Sequence, residues 1–310
     1  MISFLVEAIK YGMTFLLGST GETLTEKSGH LNLGIPGIMS VGAATGCAAI
    51  YLCGKGMPPF LTVLISILAS FAGGAILGLI YCFLTVTLRA NQNVTGLVLT
   101  TFGAGITEFI IGKTGSFAFA AKYFSTLIPA ASKLGWFGDL FLSYGIMVYL
   151  AIAIALVVSF VLGKTRVGLQ LRAVGENPAT ADAAGINISL YRYTATFIGS
   201  GIAGLGGLCY IMDNLYGCWE YAIEAIGWLA IALVIFTVWK PHIGIFGSIV
   251  FGILYNVSSY IPGISFAQKD ILKMLPYVVT VIVLIITSIR NKRENQPPKA
   301  LGLSYFREDR

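Results

Sequence analysis

Charge is what this sequence is short of. Asp, Glu, Lys and Arg make up 11% of its 310 residues, whereas a soluble domain carries about 25%. So few charges cannot dress a water-facing surface of this size. Histidine is scarce too, with only His30 and His242, both in loops between apolar runs. No HExxH, paired-carboxylate or nucleophile-elbow pattern occurs, which leaves a membrane enzyme without support. The cysteines include no CxxC pair; Cys47, Cys53, Cys82 and Cys209 lie in or beside apolar runs and Cys218 lies in a loop. Neither a disulfide framework nor a zinc site is indicated. Residues 1–20 lack the basic start and small-residue cleavage site of a signal peptide, so the first segment is expected to be a retained span. Gly-Lys-Thr occurs at 112–114 and at 163–165, but Thr107 and Val158 stand where a phosphate loop needs its earlier glycine. Any nucleotide chemistry therefore belongs to another chain, and no cofactor or metal is expected.

Apolar residues are what the sequence has. They make up 56% of it, with a mean hydropathy of +0.82. The expected fold is all-α: a polytopic helical membrane protein with about nine transmembrane helices, range about eight to ten, each needing roughly 20 apolar residues. The runs lie near 2–20, 36–53, 60–88, 93–112, 141–162, 191–211, 222–239, 243–261 and 271–289. Residues 1–290 then form the transmembrane domain, and 291–310 form a charged, proline-containing tail expected to be a mobile end. Setting that tail inside puts Lys27, Arg89, Lys164, Arg166, Arg172, Arg192, Lys240 and the tail bases on one side. It leaves Lys55, Lys113, Lys122, Lys133, Lys269 and Lys273 on the other. This bias favours a cytoplasmic C-terminus and, with nine spans, an outside N-terminus. It also explains the net charge of +6 by anionic lipid and cytoplasmic partners, without nucleic acid. Gly199, Ala203 and Gly207 make small-xxx-small steps on one face of the sixth span, where helix backbones can approach closely.

The inside segment 163–191 holds a short helix with clear punctuation. Asn177 suits an N-cap and Pro178 the first helical position; Ala179–Ala184 favour helix and Gly185 supplies a left-handed stop. So short a rod is marginal alone and needs something to pack against. It is either a loop helix lying on its own bundle or a docking knob for a cytoplasmic partner, with Glu176 and Asp182 as charge partners.

Four stretches carry a family likeness: TEKSGHLNLGIPGIMSVGA from Thr25, NQNVTGLVLTTFGAGITEFIIG from Asn91, GENPATADAAGINI from Gly175, and IGWLAIALVIFTVWKPHIGIFGSIVFGIL from Ile226. The sequence resembles the permease subunits of ABC importers for nucleosides and simple sugars, related to the ribose and branched-chain amino-acid permeases. It departs from the family pattern at His30, usually apolar, at Pro36, usually acidic, and at Thr237, usually glycine. The resemblance implies a bacterial plasma-membrane protein working as half of a permease pair. Its implied partners are a second permease subunit, an ATP-binding subunit and an extracytoplasmic substrate-binding lipoprotein. It further implies that Glu176, Asn177, Pro178, Ala179, Asp182, Ala183, Ala184 and Gly185 form a coupling helix seated in the ATP-binding subunit, driving alternating access.

A sugar or nucleoside needs a path of amides, hydroxyls and aromatic faces. Asn32, Asn93, Thr95, Thr100, Thr101 and Glu108 are the candidates; Asn32 and Asn93 serve equally well as caps, and Glu108 also reaches the outer interface. Tyr210 and Asp213 are expected at the outer end of the sixth span, where a binding protein docks. Trp228 and Trp239 suit interfacial anchors. The competing class is an ion-coupled secondary carrier, which places ionisable groups deep in its bundle.

Overall fold

The computed structural model describes residues 2–115, 117–125, 135–290 and 296–306. Lys133, Lys292, Arg293, Arg307 and Arg310, assigned sides above, lie outside the described residues. The long helices are α1 (Ile2–Glu26), α2 (Ile35–Cys53), α3 (Pro59–Cys82), α4 (Gln92–Ile111), α7 (Ile146–Lys164), α10 (Ile188–Cys209) and α12 (Pro241–Tyr260). Short helices α5 (Ala121–Phe124), α6 (Gly135–Phe141), α8 (Arg166–Glu176) and α9 (Pro178–Ala183) join them, with α11 (Ile223–Phe236), α13 (Phe266–Lys273) and α14 (Leu275–Arg290) towards the C-terminus. Wider π-helical turns extend α3 over Phe83–Thr87 and α10 over Tyr210–Asn214.

Among the described residues, 8 helices are long and apolar enough to cross a membrane, the last running through α13 and α14. The ninth expected span, 222–239, is α11 and has only 14 residues. At 1.5 Å per residue that is about 21 Å, short of the roughly 30 Å hydrocarbon core. The chain turns sharply after it, with φ of +55° at Val238 and +56° at Trp239. A backbone break at such depth is tolerated only inside protein, and α11 is sheathed by α1, α2 and α14.

The bundle has a clear inside. The span containing α10 is 89% buried and α2 is 78% buried, whereas the last span is 11% buried. These central helices meet through backbone. Gly21 of α1 faces Gly199 of α10 so closely that a Cβ on Gly199 would stand 2.4 Å from the Gly21 carbonyl oxygen. A Cβ on Gly207 would stand 2.0 Å from the Met39 carbonyl oxygen. The small-residue face expected on the sixth span is therefore the seam against α1 and α2.

Substituting Gly207→Ala should destabilise the protein by about 3 kcal/mol or more, because the clash is with backbone that cannot yield. Gly163→Ala, where a Cβ meets nothing within 4 Å, should leave the melting temperature of the purified protein within about 2 °C of wild type. Equal melting of the two variants would contradict the seam.

Candidate functional site

The chain between α10 and α11 borders a cavity of about 210 Å³ lined by Ser40, Ala104, Thr107, Glu108, Trp219, Tyr221, Ile223 and Glu224. Ser40 lies in the first half of α2 and Thr107 in the last quarter of α4, so the cavity joins two spans to the chain that follows α10. Because α11 is short, its first turn opens directly onto this space. The indole and phenol rings of Trp219 and Tyr221 stand edge to face, 6.2 Å between centroids. Thr107 Oγ1 and Trp219 Nε1 are buried without a hydrogen-bond partner. Unmade hydrogen bonds of this kind are costly unless something fills the site, and an aromatic face beside a hydroxyl and an indole N–H, with the Glu108 and Glu224 carboxylates as acceptors, suits a polar ring that donates hydrogen bonds.

Of the expected path residues, only Glu108 lines this cavity. Thr95 and Thr100 are buried, and Thr100 donates to the Leu33 carbonyl at 3.2 Å. Asn93 and Thr101 lie on the exposed face of α4, and the cap of that helix is Asn91, whose side chain accepts from Val94 N–H at 3.1 Å. Ser40, Thr107, Trp219, Tyr221 and Glu224 were missed; the only sequence signal was the polar-aromatic run Cys218–Tyr221 between two apolar spans.

Asn32 belongs to a second polar cluster, which fixes the turn from α1 to α2. Its N–H donates to Glu22 Oε1 at 3.0 Å and its Oδ1 accepts from Gly34 N–H at 2.9 Å. Leu31 N–H donates to Gln92 Oε1 at 2.8 Å, and the Tyr81 hydroxyl donates to the Leu31 carbonyl. The Glu26 carboxylate accepts the indole N–H of Trp239, which is 8% exposed. Trp239 is thus an interior tether and not an interfacial anchor. His30 is wholly buried between two hydroxyls, Nε2 2.7 Å from Thr85 Oγ1 and Nδ1 3.0 Å from Thr196 Oγ1. Thr85 gives its own proton to the Tyr81 carbonyl, so it accepts from His30 Nε2–H, and Nδ1 accepts from Thr196. Burial, with Arg192 nearby, pushes the His30 pKa down to about 3, so the ring is neutral.

The family described as branched-chain amino acid transport system, permease component, matches residues 4–286. The chain belongs to that family. It is 31% identical over 304 residues to the nucleoside ABC transporter permease protein NupC of Lactococcus lactis subsp. cremoris, covering 96% of this chain and 94% of the relative. It is 30% identical over 323 residues to the guanosine ABC transporter permease protein NupQ of Bacillus subtilis, covering 100% and 98%. Among solved structures, an ABC transporter of metal-chelate type in an inward-facing conformation shares the fold. Its TM-score is 0.52 at 12% identity, over 91% of this chain and 85% of that one. The chain is accordingly a multi-pass ABC permease subunit and a transport protein, not an enzyme, and its family works with ATP-binding and substrate-binding subunits.

The permease presents α9 on the face where α1 ends. Asn177 caps it by accepting Thr180 N–H at 3.1 Å, Pro178 opens it, and Gly185 closes it at φ +82°. Glu176, Asn177, Ala179, Ala183, Ala184 and Gly185 are exposed, while Ala181 is buried against Val174 and Ile188. The support that so short a helix needs comes partly from the tail. Tyr305 packs on this cluster and its hydroxyl donates to Asp182 Oδ2 at 2.9 Å. The Ala300 N–H donates to the Gly175 carbonyl at 2.9 Å, and the Leu303 carbonyl accepts from Gln92 and Arg192. Residues 296–306 are therefore pinned to the permease, against the expectation of a mobile end. Tyr210 and Asp213, expected at an exposed tip, are 3% and 6% exposed, because their π-helical turn packs on α1 and α5.

His30 makes the stability of the permease pH-dependent. Its folded-state value lies below the ordinary 6.5, so between the two the unfolded chain binds the extra proton. The contribution of His30 is complete above about pH 7 and falls by about 1.4 kcal/mol per pH unit on acidification below about 6.5. Melting temperatures of wild type and His30→Gln should diverge at neutral pH and converge towards pH 4.5. A constant difference across that range would contradict a neutral buried imidazole.

Proposed function

We propose that this permease is one half of a pair in an ATP-driven importer of a nucleoside or simple sugar, in a bacterial plasma membrane with its C-terminus cytoplasmic. Separate ATP-binding subunits seat α9, and their closure tilts the helices of the pair between inward- and outward-facing states, as alternating access requires. An extracytoplasmic binding lipoprotein delivers the solute. The observation that carries the substrate class is the cavity of Ser40, Thr107, Trp219 and Tyr221, which offers an aromatic face and unpartnered hydrogen-bonding groups. The likeness to permeases named for nucleosides and guanosine supports the same choice. The one exposed face of small residues on α9, Ala179, Thr180, Ala183 and Ala184, supports close seating in a partner groove. Glu176 and Asp182 supply charge there, and Asn177, Pro178 and Gly185 supply its ends.

Uptake of radiolabelled guanosine, ribose and leucine into proteoliposomes holding the pair, its ATP-binding subunit and its binding protein tests the proposal. Uptake should require ATP and favour guanosine. Uptake on an ion gradient without the ATP-binding subunit would overturn it in favour of a secondary carrier. Trp219→Ala should lower guanosine uptake about tenfold, the loss of roughly 1.4 kcal/mol of stacking and hydrogen bonding, with ATP-binding-subunit association unchanged. Gly185→Pro forces φ to about −65° where +82° is required; it should abolish uptake while membrane insertion persists, and normal uptake would exclude α9 as the coupling element.

A further inference from the structure

A second cavity lies on the α9 face, separate from the one assigned to solute. Its volume is about 470 Å³, and it is walled by the end of α3, the loop from α9 to α10, the first turn of α10 and the tail. Arg89, Arg192, Thr85, Ser189 and Ser304 supply its polar lining. Arg192 decides what it is for. The residue is 2% exposed, yet its guanidinium makes a single hydrogen bond, from Nη2 to the Leu303 carbonyl at 3.2 Å, and its Nε has no partner. Among the described residues no carboxylate lies within ion-pair distance of it. A buried guanidinium without a counter-charge is strongly disfavoured.

Among the described residues no acid forms an ion pair with Arg192. His30, on the other side of Arg192, is neutral. Asp182, the acid on the cavity wall, keeps its charge while accepting the Tyr305 hydroxyl at 2.9 Å, and it is offset there by Arg89 as well as Arg192. Arg89 adds a second positive charge, so the described lining carries two guanidinia against one carboxylate. It is held at φ +60° at the end of α3, and its guanidinium stacks 4.8 Å from the centre of the Phe306 ring. Two guanidinia, the hydroxyls of Ser189 and Ser304 and the first N–H groups of α10 line one concave space. A planar fork of donors matches phosphate oxygens, and helix starts favour anions.

We propose that this cavity binds a phosphomonoester dianion, which serves as the counter-ion of Arg192 and fastens the tail to α10. The dianion comes either from a soluble phosphate compound or from an anionic lipid headgroup, since the cavity lies where the span Pro59–Thr87 ends and the span Ile188–Asn214 begins.

Two probes on the purified full-length permease separate the sources. Inorganic phosphate is titrated calorimetrically at constant ionic strength, with chloride as the balancing anion. In parallel, nanodiscs containing phosphatidic acid are examined by native mass spectrometry for retained lipid. Saturable binding of phosphate, or selective retention of phosphatidic acid over phosphatidylcholine, is expected, falling at least about tenfold in Arg192→Gln. Because Arg192 is buried, two exposed positions make the test independent of folding. Arg89→Gln should weaken binding, and Ser189→Glu, which places a carboxylate at the cavity mouth, should abolish it, both with an unchanged melting temperature. Absence of saturable binding for both probes, or binding unaltered in Arg89→Gln and Ser189→Glu, overturns the proposal. Neither result bears on guanosine uptake, which tests the transport assignment separately.

Discussion

Backbone-to-backbone contact between glycines is the constraint on which this structure depends. Lipid tails are as apolar as leucine, so burying leucine between helices gains little in a bilayer, and close packing must supply the attraction instead. The approach of α10 to α1 at Gly199 and Gly21, and to α2 at Gly207, makes α10 the axis of the bundle. Once those backbones touch, the polar side chains near the helix ends fall into register. Asn214 donates to Thr14 across the α10–α1 seam at 3.0 Å, and His30 reaches Thr196 one turn below Gly199.

The turn from α1 to α2 passes that rigidity to the α9 face. Glu22, Glu26, Gln92, Tyr81 and Trp239 each satisfy a group of the turn or its neighbours. Gly175 of α8 packs directly on it, since a Cβ there would stand 2.3 Å from the Lys27 carbonyl oxygen. A force on α9 therefore meets a hydrogen-bonded platform joined to the central helices. That is the mechanical property a permease needs if ATP hydrolysis elsewhere is to reorient its helices.

Much of this was legible in the residues. Span positions follow from apolar length, and α9 follows from capping chemistry that is local: Asn177, Pro178 and Gly185 lie within one short stretch and needed no tertiary information. The glycine face of α10 was readable for the same reason. What escaped depends on residues far apart in sequence. The shortness of α11 is hidden because its apolar run continues into Val238 and Trp239, which leave the helix only to let Trp239 reach Glu26. The tail has the composition of a free end, but Tyr305 meets Asp182 across 123 positions. The cavity proposed for solute gathers Ser40, Thr107 and Trp219 from three elements, so no window of sequence contains it. Asn93, offered as a path residue or else a cap, lies on the exposed face of α4, and the cap is Asn91, two residues earlier and within the usual uncertainty of helix ends.

The central claim is that the permease is a conduit driven from the cytoplasm through α9. A single cysteine at the exposed Ala183, in a background with the native cysteines replaced, tests it most directly. A membrane-impermeant maleimide should label this position in inside-out vesicles and not in right-side-out ones, and bound ATP-binding subunit should protect it. Labelling from the outside, or labelling unaffected by saturating ATP-binding subunit, would contradict the account.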